Sequence, residues 1–350
     1  MGTCARHGFG HCRRERRYAP IMPSIGRPAR LRRPSRPVVP TGRPGPPRIV
    51  VLGDLVLDVV VAPARPLEAG TDVAGRIAFV QGGSAANAAR WMARLGARTS
   101  LISAVGRDAT GRALVDAIRG DGVTTRVARI AGTPTGRIAV LVGPDGERTF
   151  VPDRGAADLL DPARLKRAWF AGAQALHLPV YSLLGSPLGD AGRRAIELAR
   201  DAGAAISVDL ASIGPLMARG RRAAHDLVAG TAPDILFATG SETEALLAGA
   251  PVESLLEFAA IAVVKRGPKG ATVLARAGTE RLRFEVATTP LPAVDTTGAG
   301  DAFDAGFLVG WFAGRTAGRS LPVALHRAAL IGHRTAARQL ASPRSELTLG

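Results

Sequence analysis

Apolar residues fall along this chain in short blocks with two kinds of spacing. Near-continuous apolar runs at 48–62, 99–105, 175–178, 205–209, 235–237 and 261–265 predict buried strands. Between them the period lengthens. Ala85, Ala88, Ala89, Met92 and Leu95 follow helical spacing, with Arg90 and Arg94 on the other side and Gly96 as the stop. Helices are also expected over 193–202, 225–228 and 242–247, and the turn at 106–112 leads into another that ends near Gly120, with Asp108 as its cap. A short strand at 291–294 leads into a helix where Phe303, Phe307 and Trp311 recur every four residues beside Leu308 and Phe312. Gly306 and Gly310 leave room there for another element. His326 and His333 fall on a further, last helix. Strand–helix alternation predicts an α/β fold: a mostly parallel central sheet with helices on both faces. Two stretches break the pattern. An extended piece at 76–80 sits in Pro/Gly-rich sequence, and runs at 137–142 and 148–151 flank the turn signal Pro144-Asp145-Gly146.

The chain has 350 residues and a formal net charge of +17, which raises nucleic acid as a partner. The distribution argues against it. Residues 1–47 hold 11 Arg and one Glu, so the tail carries +10 and the remainder +7. Aromatic content is 4%, and no stretch interleaves aromatic with basic residues. Residues 1–47 read as a disordered Arg/Pro-rich tail, with Met22 as a candidate later start. Both cysteines, Cys4 and Cys12, lie in it, so 48–350 can form neither a disulfide nor a thiolate metal site. No secretory segment or membrane-length apolar run occurs, and a cytoplasmic protein without membrane partners is expected.

Asp209, residues 240–244, 265–270 and 295–301 each follow a predicted strand. In a parallel sheet such positions converge on one rim, where ligands bind. The string Asp295-Thr-Thr-Gly-Ala-Gly-Asp301 carries the most chemistry. Helix N-terminal amides at 298–301 suit an anion, and Gly298 and Gly300 let it come close. A carboxylate beside an anion needs a task, and accepting a hydroxyl proton in phosphoryl transfer is one. Asp301 as a mere helix cap is the bland alternative. Asp54 and Asp58 interrupt an apolar strand, which suggests a polar pocket.

Asp295-Thr-Thr-Gly-Ala-Gly-Asp-Ala-Phe303 resembles the second signature of the PfkB-type carbohydrate kinases, the ribokinase family. Gly82-Gly83-Ser84-Ala85-Ala86-Asn87 resembles the first. The resemblance spans about residues 48–340 and implies a ribokinase-like three-layer α/β sandwich with a small β lid from about 58–80 and 135–153. It implies Asp301 as base and Gly298, Ala299, Gly300 and Asp301 as anion hole. Asp58, Gly82, Gly83 and Asn87 would bind sugar, with Arg154, and with Glu147, Arg148 and Asp153 as further candidates. Ser84 stands where some sugar kinases carry Lys. Ser241 and Glu244 match the family's Asn-x-x-Glu with Ser in place of Asn. Glu244 would hold Mg²⁺ through water, although Ser241 and Glu244 could instead form a capping box. Lys265, Gly267 and Gly270 would lie near ATP. Asp295 and Thr297 match part of a monovalent-cation site, which leaves K⁺ open. A homodimer through the lid is expected by analogy.

His177, His326 and His333 read as packing or surface residues. The chain lacks a Gly-x-x-x-x-Gly-Lys-Ser/Thr loop and a strand-borne Gly-x-Gly-x-x-Gly. The expected activity is ATP- and Mg²⁺-dependent phosphorylation of a sugar hydroxyl. A nucleoside kinase on the same fold and a non-catalytic sugar sensor are the alternatives.

Overall fold

The computed structural model describes residues 45–143, 148–291, 295–342 and 344–348. In chain order the strands and helices are β1 (Arg48–Leu52), β2 (Val56–Pro63), β3 (Gly75–Gly82), α1 (Ser84–Arg94), β4 (Arg98–Gly106), α2 (Ala109–Gly120), β5 (Thr124–Ile130), β6 (Thr135–Val142), β7 (Arg148–Gly155), β8 (Ala175–Pro179) and α3 (Leu188–Asp201). There follow β9 (Ala205–Asp209), α4 (Ile213–Met217), α5 (Arg221–Thr231), β10 (Ile235–Thr239), α6 (Gly240–Leu247), β11 (Ile261–Lys265), β12 (Ala271–Ala277), β13 (Glu280–Val286), α7 (Ala299–Thr316) and α8 (Leu321–Ala341).

Nine strands form the main sheet in the order β13-β12-β11-β10-β9-β8-β1-β4-β5. From β11 to β5 every pairing is parallel, while β12 and β13 add an antiparallel edge. Alternation within β1 shows why both faces are covered. Ile49 and Val51 enter a core shared with α1, α7 and α8; Val50 and Leu52 enter the opposite core, shared with α3. Each fully buried side chain of this size stabilises the fold by about 1.5–3 kcal/mol. Helices α7 and α8 pack closely because Gly306 and Gly310 lie at their contact. A Cβ at Gly306 would collide with the Thr335 hydroxyl, and one at Gly310 would sit 2.7 Å from Ile331 Cδ1.

A second sheet, β3-β2-β6-β7, is the lid. The single strand expected over 48–62 is therefore two strands in two sheets. The break falls at Gly53, where a Cβ would lie 2.6 Å from Ser182 Oγ, and at Asp54 and Leu55. Asp58 and Val80 pair across β2 and β3 on the lid's buried face; Ile77, Phe79 and Val151 lie exposed. The lid hairpin forms as expected, but its turn at 144–147, including Glu147, lies outside the described residues, as do 1–44 of the tail.

β5 and β13 are edge strands of alternating polar and apolar residues, too charged to stand out as apolar runs. Conversely, Leu291 belongs to no strand, and 292–294 lie outside the described residues. Among the described residues the last strand before α7 is β13.

Candidate active site

Two glycine turns meet beneath the lid. The first opens α1. Gly83, its N-cap, takes φ 101°, and a Cβ there would press on the Asp54 carbonyl at 2.5 Å. Asp54 closes this turn from the other side. Its Oδ1 accepts from Ala85 N at 3.2 Å and its carbonyl from Ala86 N at 3.2 Å. Asp54 thus serves the helix N-terminus, satisfying amides with no helical partner. The second turn opens α7, with Gly298 as N-cap at φ 78°. A Cβ on Gly298 would lie 3.3 Å from Asn87 Nδ2, so turn packs on turn.

Asp301, in the first turn of α7, bridges them. Its Oδ1 accepts from Ser84 Oγ at 2.6 Å and its Oδ2 from Asn87 Nδ2 at 2.9 Å. Burial pushes its pKa up to about 6, against the lowering effect of these two bonds; Asp209 raises it further and Lys265 opposes. Such a group is mostly ionised at neutral pH yet far more basic than an exposed aspartate. That suits proton acceptance. The first turn of the 18-residue α7 has amides without helical partners and the positive end of the dipole, features that suit an anion.

Around Asp301 the acceptor candidates fall into ion pairs. Asp58 is 4% exposed and pairs with Arg344, which also lies 3.3 Å (Nε) from Asp295 Oδ2. Burial raises the Asp58 pKa, with Arg344 opposing. The carboxylate also abuts Gly82, where no Cβ would fit. Arg154 reaches Asp158 at 2.7 Å and Asp54 at 3.4 Å and lies over the Tyr181 ring. Arg148 faces inward onto Asp295 and Thr296, whereas Asp153 is paired with Arg137 at the surface. No sequence signal marked Arg344, because it lies 286 positions from its partner Asp58.

Three expectations need correction. Asp295 does not present a cation site. Its Oδ1 accepts from Thr297 N at 2.8 Å and meets Arg148 at 3.1 Å, and its Oδ2 meets Arg344. Two guanidinium groups already balance the charge there, so Asp295 and Thr297 do not fit K⁺. Lys265 does not turn its ammonium toward a nucleotide. It is 9% exposed and lies between Asp209 at 2.9 Å and Asp304 at 3.0 Å, under the α7 N-terminus. These carboxylates hold its pKa above the usual lysine value despite burial. Finally, the capping box of α6 is Thr239 with Glu242, at 3.3 and 2.8 Å, not Ser241 with Glu244.

That correction leaves Ser241 and Glu244 exposed on the rim, with Gly267 and Lys269 also exposed. Gly270 shapes the turn itself: at φ 85° its Cα faces the Val286 carbonyl, where no Cβ fits. Among the described residues no group of three His, Cys, Asp or Glu is placed to hold a metal. A Mg²⁺ carried on nucleotide phosphates requires only one or two carboxylates and water, which Glu244 can provide. His177 is a core residue. It is buried against Phe237 and Ser207, and burial lowers its pKa to about 4. His326 and His333 pack on Phe284 and Phe303.

Comparison with known proteins gives this arrangement a family. Fructokinase-1 of Oryza sativa subsp. japonica is 32% identical over 274 residues, covering 73% of this chain and 80% of that protein. The probable fructokinase-3 of Arabidopsis thaliana is 30% identical over 267 residues, covering 73% and 75%. Among solved structures, adenosine kinase from Sinorhizobium meliloti superposes with TM-score 0.72 at 26% identity, covering 87% of this chain and 98% of that one. A putative ribokinase II from E. coli in complex with ATP and Mg²⁺ shares the fold, with TM-score 0.69 at 23% identity over 85% and 94%. Among the described residues, no helix is long and apolar enough to cross a membrane. The model of the pfkB family of carbohydrate kinases matches residues 46–343, and the chain belongs to that family of ATP-dependent sugar kinases.

Proposed function

We propose that Asp301 is the base in transfer of the ATP γ-phosphoryl group to a sugar hydroxyl held between the lid and the α1 turn. One observation carries the reading: the Asp301 carboxylate is hydrogen-bonded by Ser84 and Asn87, side chains of the opposite turn. A hydroxyl that displaces those donors sits directly on the base. Asp301 takes its proton as the oxygen bonds to phosphorus and ADP leaves. Gly298, Ala299, Gly300 and Asp301 offer amides to the charge on the moving group. Asp58, Gly82, Gly83, Asn87 and Arg154 form the acceptor side. Ser241, Glu244, Gly267 and Gly270 form the nucleotide side, where Glu244 would hold Mg²⁺ through water. ATP supplies the phosphoryl group, and a bound metal would neutralise its charge.

Fructose is the first acceptor to test, given the fructokinase relatives. The exposed Ile77, Phe79 and Val151 on the lid favour a homodimer through this face. An ATP-consumption assay over fructose, ribose, 2-keto-3-deoxygluconate and adenosine tests the reading. Sugar-dependent ADP release is expected. Release with adenosine alone would move the assignment to a nucleoside kinase, in line with the Sinorhizobium meliloti neighbour. Tight sugar binding with no ADP release would point to a sensor.

A further inference from the structure

After α8 the chain runs back across the lid. Glu346 forms an antiparallel bridge with Val80, Leu347 N donates to Phe79 O at 2.7 Å, and Arg76 pairs with Glu346 at 2.7 Å. These contacts hang residues 344–348 on the lid strand β3. They also deliver Arg344 inward, where its side chain is 4% exposed.

Arg344 consumes the acceptor carboxylate. One oxygen of Asp58 lies against Gly82, and the other is paired with Arg344. Neighbouring acceptor groups are likewise satisfied within the chain. Asn87 donates to Asp301 and accepts from Arg90 at 2.7 Å, and Ser84 donates to Asp301. The arrangement is not at its optimum, because Arg344 Nη2 is buried without a hydrogen-bond partner. A buried guanidinium N–H with no acceptor costs free energy that release to water recovers. Among the described residues the strap is held by one bridge, one backbone bond, one exposed ion pair and the half-buried Leu347 packed on the core, a short set of attachments at the chain's edge.

We propose that residues 344–348 are a strap that fills the acceptor site of the unliganded enzyme, and that sugar binding requires Arg344 to leave Asp58. This rests on the reading of Asp58 as an acceptor-binding residue. The guanidinium stands where sugar hydroxyls would donate to that carboxylate, so strap and acceptor compete.

Two variants separate the strap from general damage. Arg344→Ala removes the competing donor. Leu347→Pro keeps the guanidinium but removes the N–H donated to Phe79. Labelling of Asp58 by a water-soluble carbodiimide, read by mass spectrometry without substrate, should be about tenfold faster in both variants, with acceptor KM lowered by a similar factor as the closed state is depopulated. Saturating acceptor should speed exchange of the Leu347 amide in the unaltered enzyme. The proposal is overturned if Asp58 labels at the unaltered rate in both variants, or if Arg344→Ala raises acceptor KM. The latter would make Arg344 part of the wall that binds sugar. If no acceptor supports turnover, the kinase reading fails, while the labelling comparison still decides the strap.

Discussion

On the lid side of Asp301 the charged side chains are paired with one another: Asp58 with Arg344 and Asp54 with Arg154, away from solvent, and the half-buried Asp295 with Arg148 and Arg344. On the opposite rim Ser241, Glu244 and Gly267 are exposed to solvent. The proposed reaction assigns the two halves to different ligands. A neutral acceptor must take over hydrogen bonds that these groups make to one another and to Arg344, so its side selects for a ligand that replaces them. A nucleotide with its metal brings its own charge and hydration, and an open rim with one available carboxylate and a helix N-terminus can receive it. Asp301 stands at the border and belongs to both.

Asp301→Asn should give the largest change. Turnover is expected to drop about 10²–10⁴-fold, with acceptor binding by calorimetry retained, since an amide can still meet Ser84 and Asn87. The same variant should be more stable at neutral pH. The folded pKa, about 6, exceeds the ordinary 3.8, so the native state binds the proton more tightly. Stability from that preference is fully present below the lower value and is lost as pH rises through the higher one. Removing the ionisable group should therefore raise stability at pH 7 by up to about 3 kcal/mol. A melting curve checks the sign.

Next is the buried triad. Lys265→Met would leave Asp209 and Asp304 without their cation at 3% and 0% exposure, a loss of about 3–5 kcal/mol in urea unfolding. Adding Asp209→Asn and Asp304→Asn should recover most of it. If the single variant is as stable as the unaltered chain, the triad is not the internal support assigned here. Gly298→Ala forces a Cβ into φ 78° beside Asn87 and should cost about 1–2 kcal/mol. The smallest effects lie on the open rim. Glu244→Gln should raise the KM for Mg-ATP roughly tenfold, as for an outer-shell metal ligand, without altering the melting point. Glu242→Ala, which removes the acceptor of Thr239 N at the buried α6 cap, should lower stability by about 1 kcal/mol. An interchange of these two outcomes would reverse the roles of the two glutamates.

Much of this was legible in the chain because local pattern and global fold agree. β9 and β11 occupy the expected 205–209 and 261–265, since central parallel strands are apolar on both faces. Both glycine turns precede the expected helices, and Asp108 caps α2 by accepting from Gly111 N at 2.7 Å. What escaped was of another kind. β1 and β2 read as one strand because apolar periodicity carries no information about a change of sheet; only Gly53 marks the corner. The charge pairs were invisible for a different reason. Lys265 finds Asp209 and Asp304 at separations of 56 and 39 residues, and Arg344 finds Asp58 at 286. Sequence placed Lys265 on the right rim but could not say whether its ammonium points out to phosphate or in to carboxylate.

The pH dependence of kcat/KM for the acceptor tests most directly whether Asp301 takes the proton. Below pH 6 the account predicts a tenfold fall per pH unit, with an apparent pKa of about 6, and no such limb in the residual activity of Asp301→Asn. A profile that stays level down to pH 5 in the unaltered enzyme, or an identical limb in the variant, would contradict it.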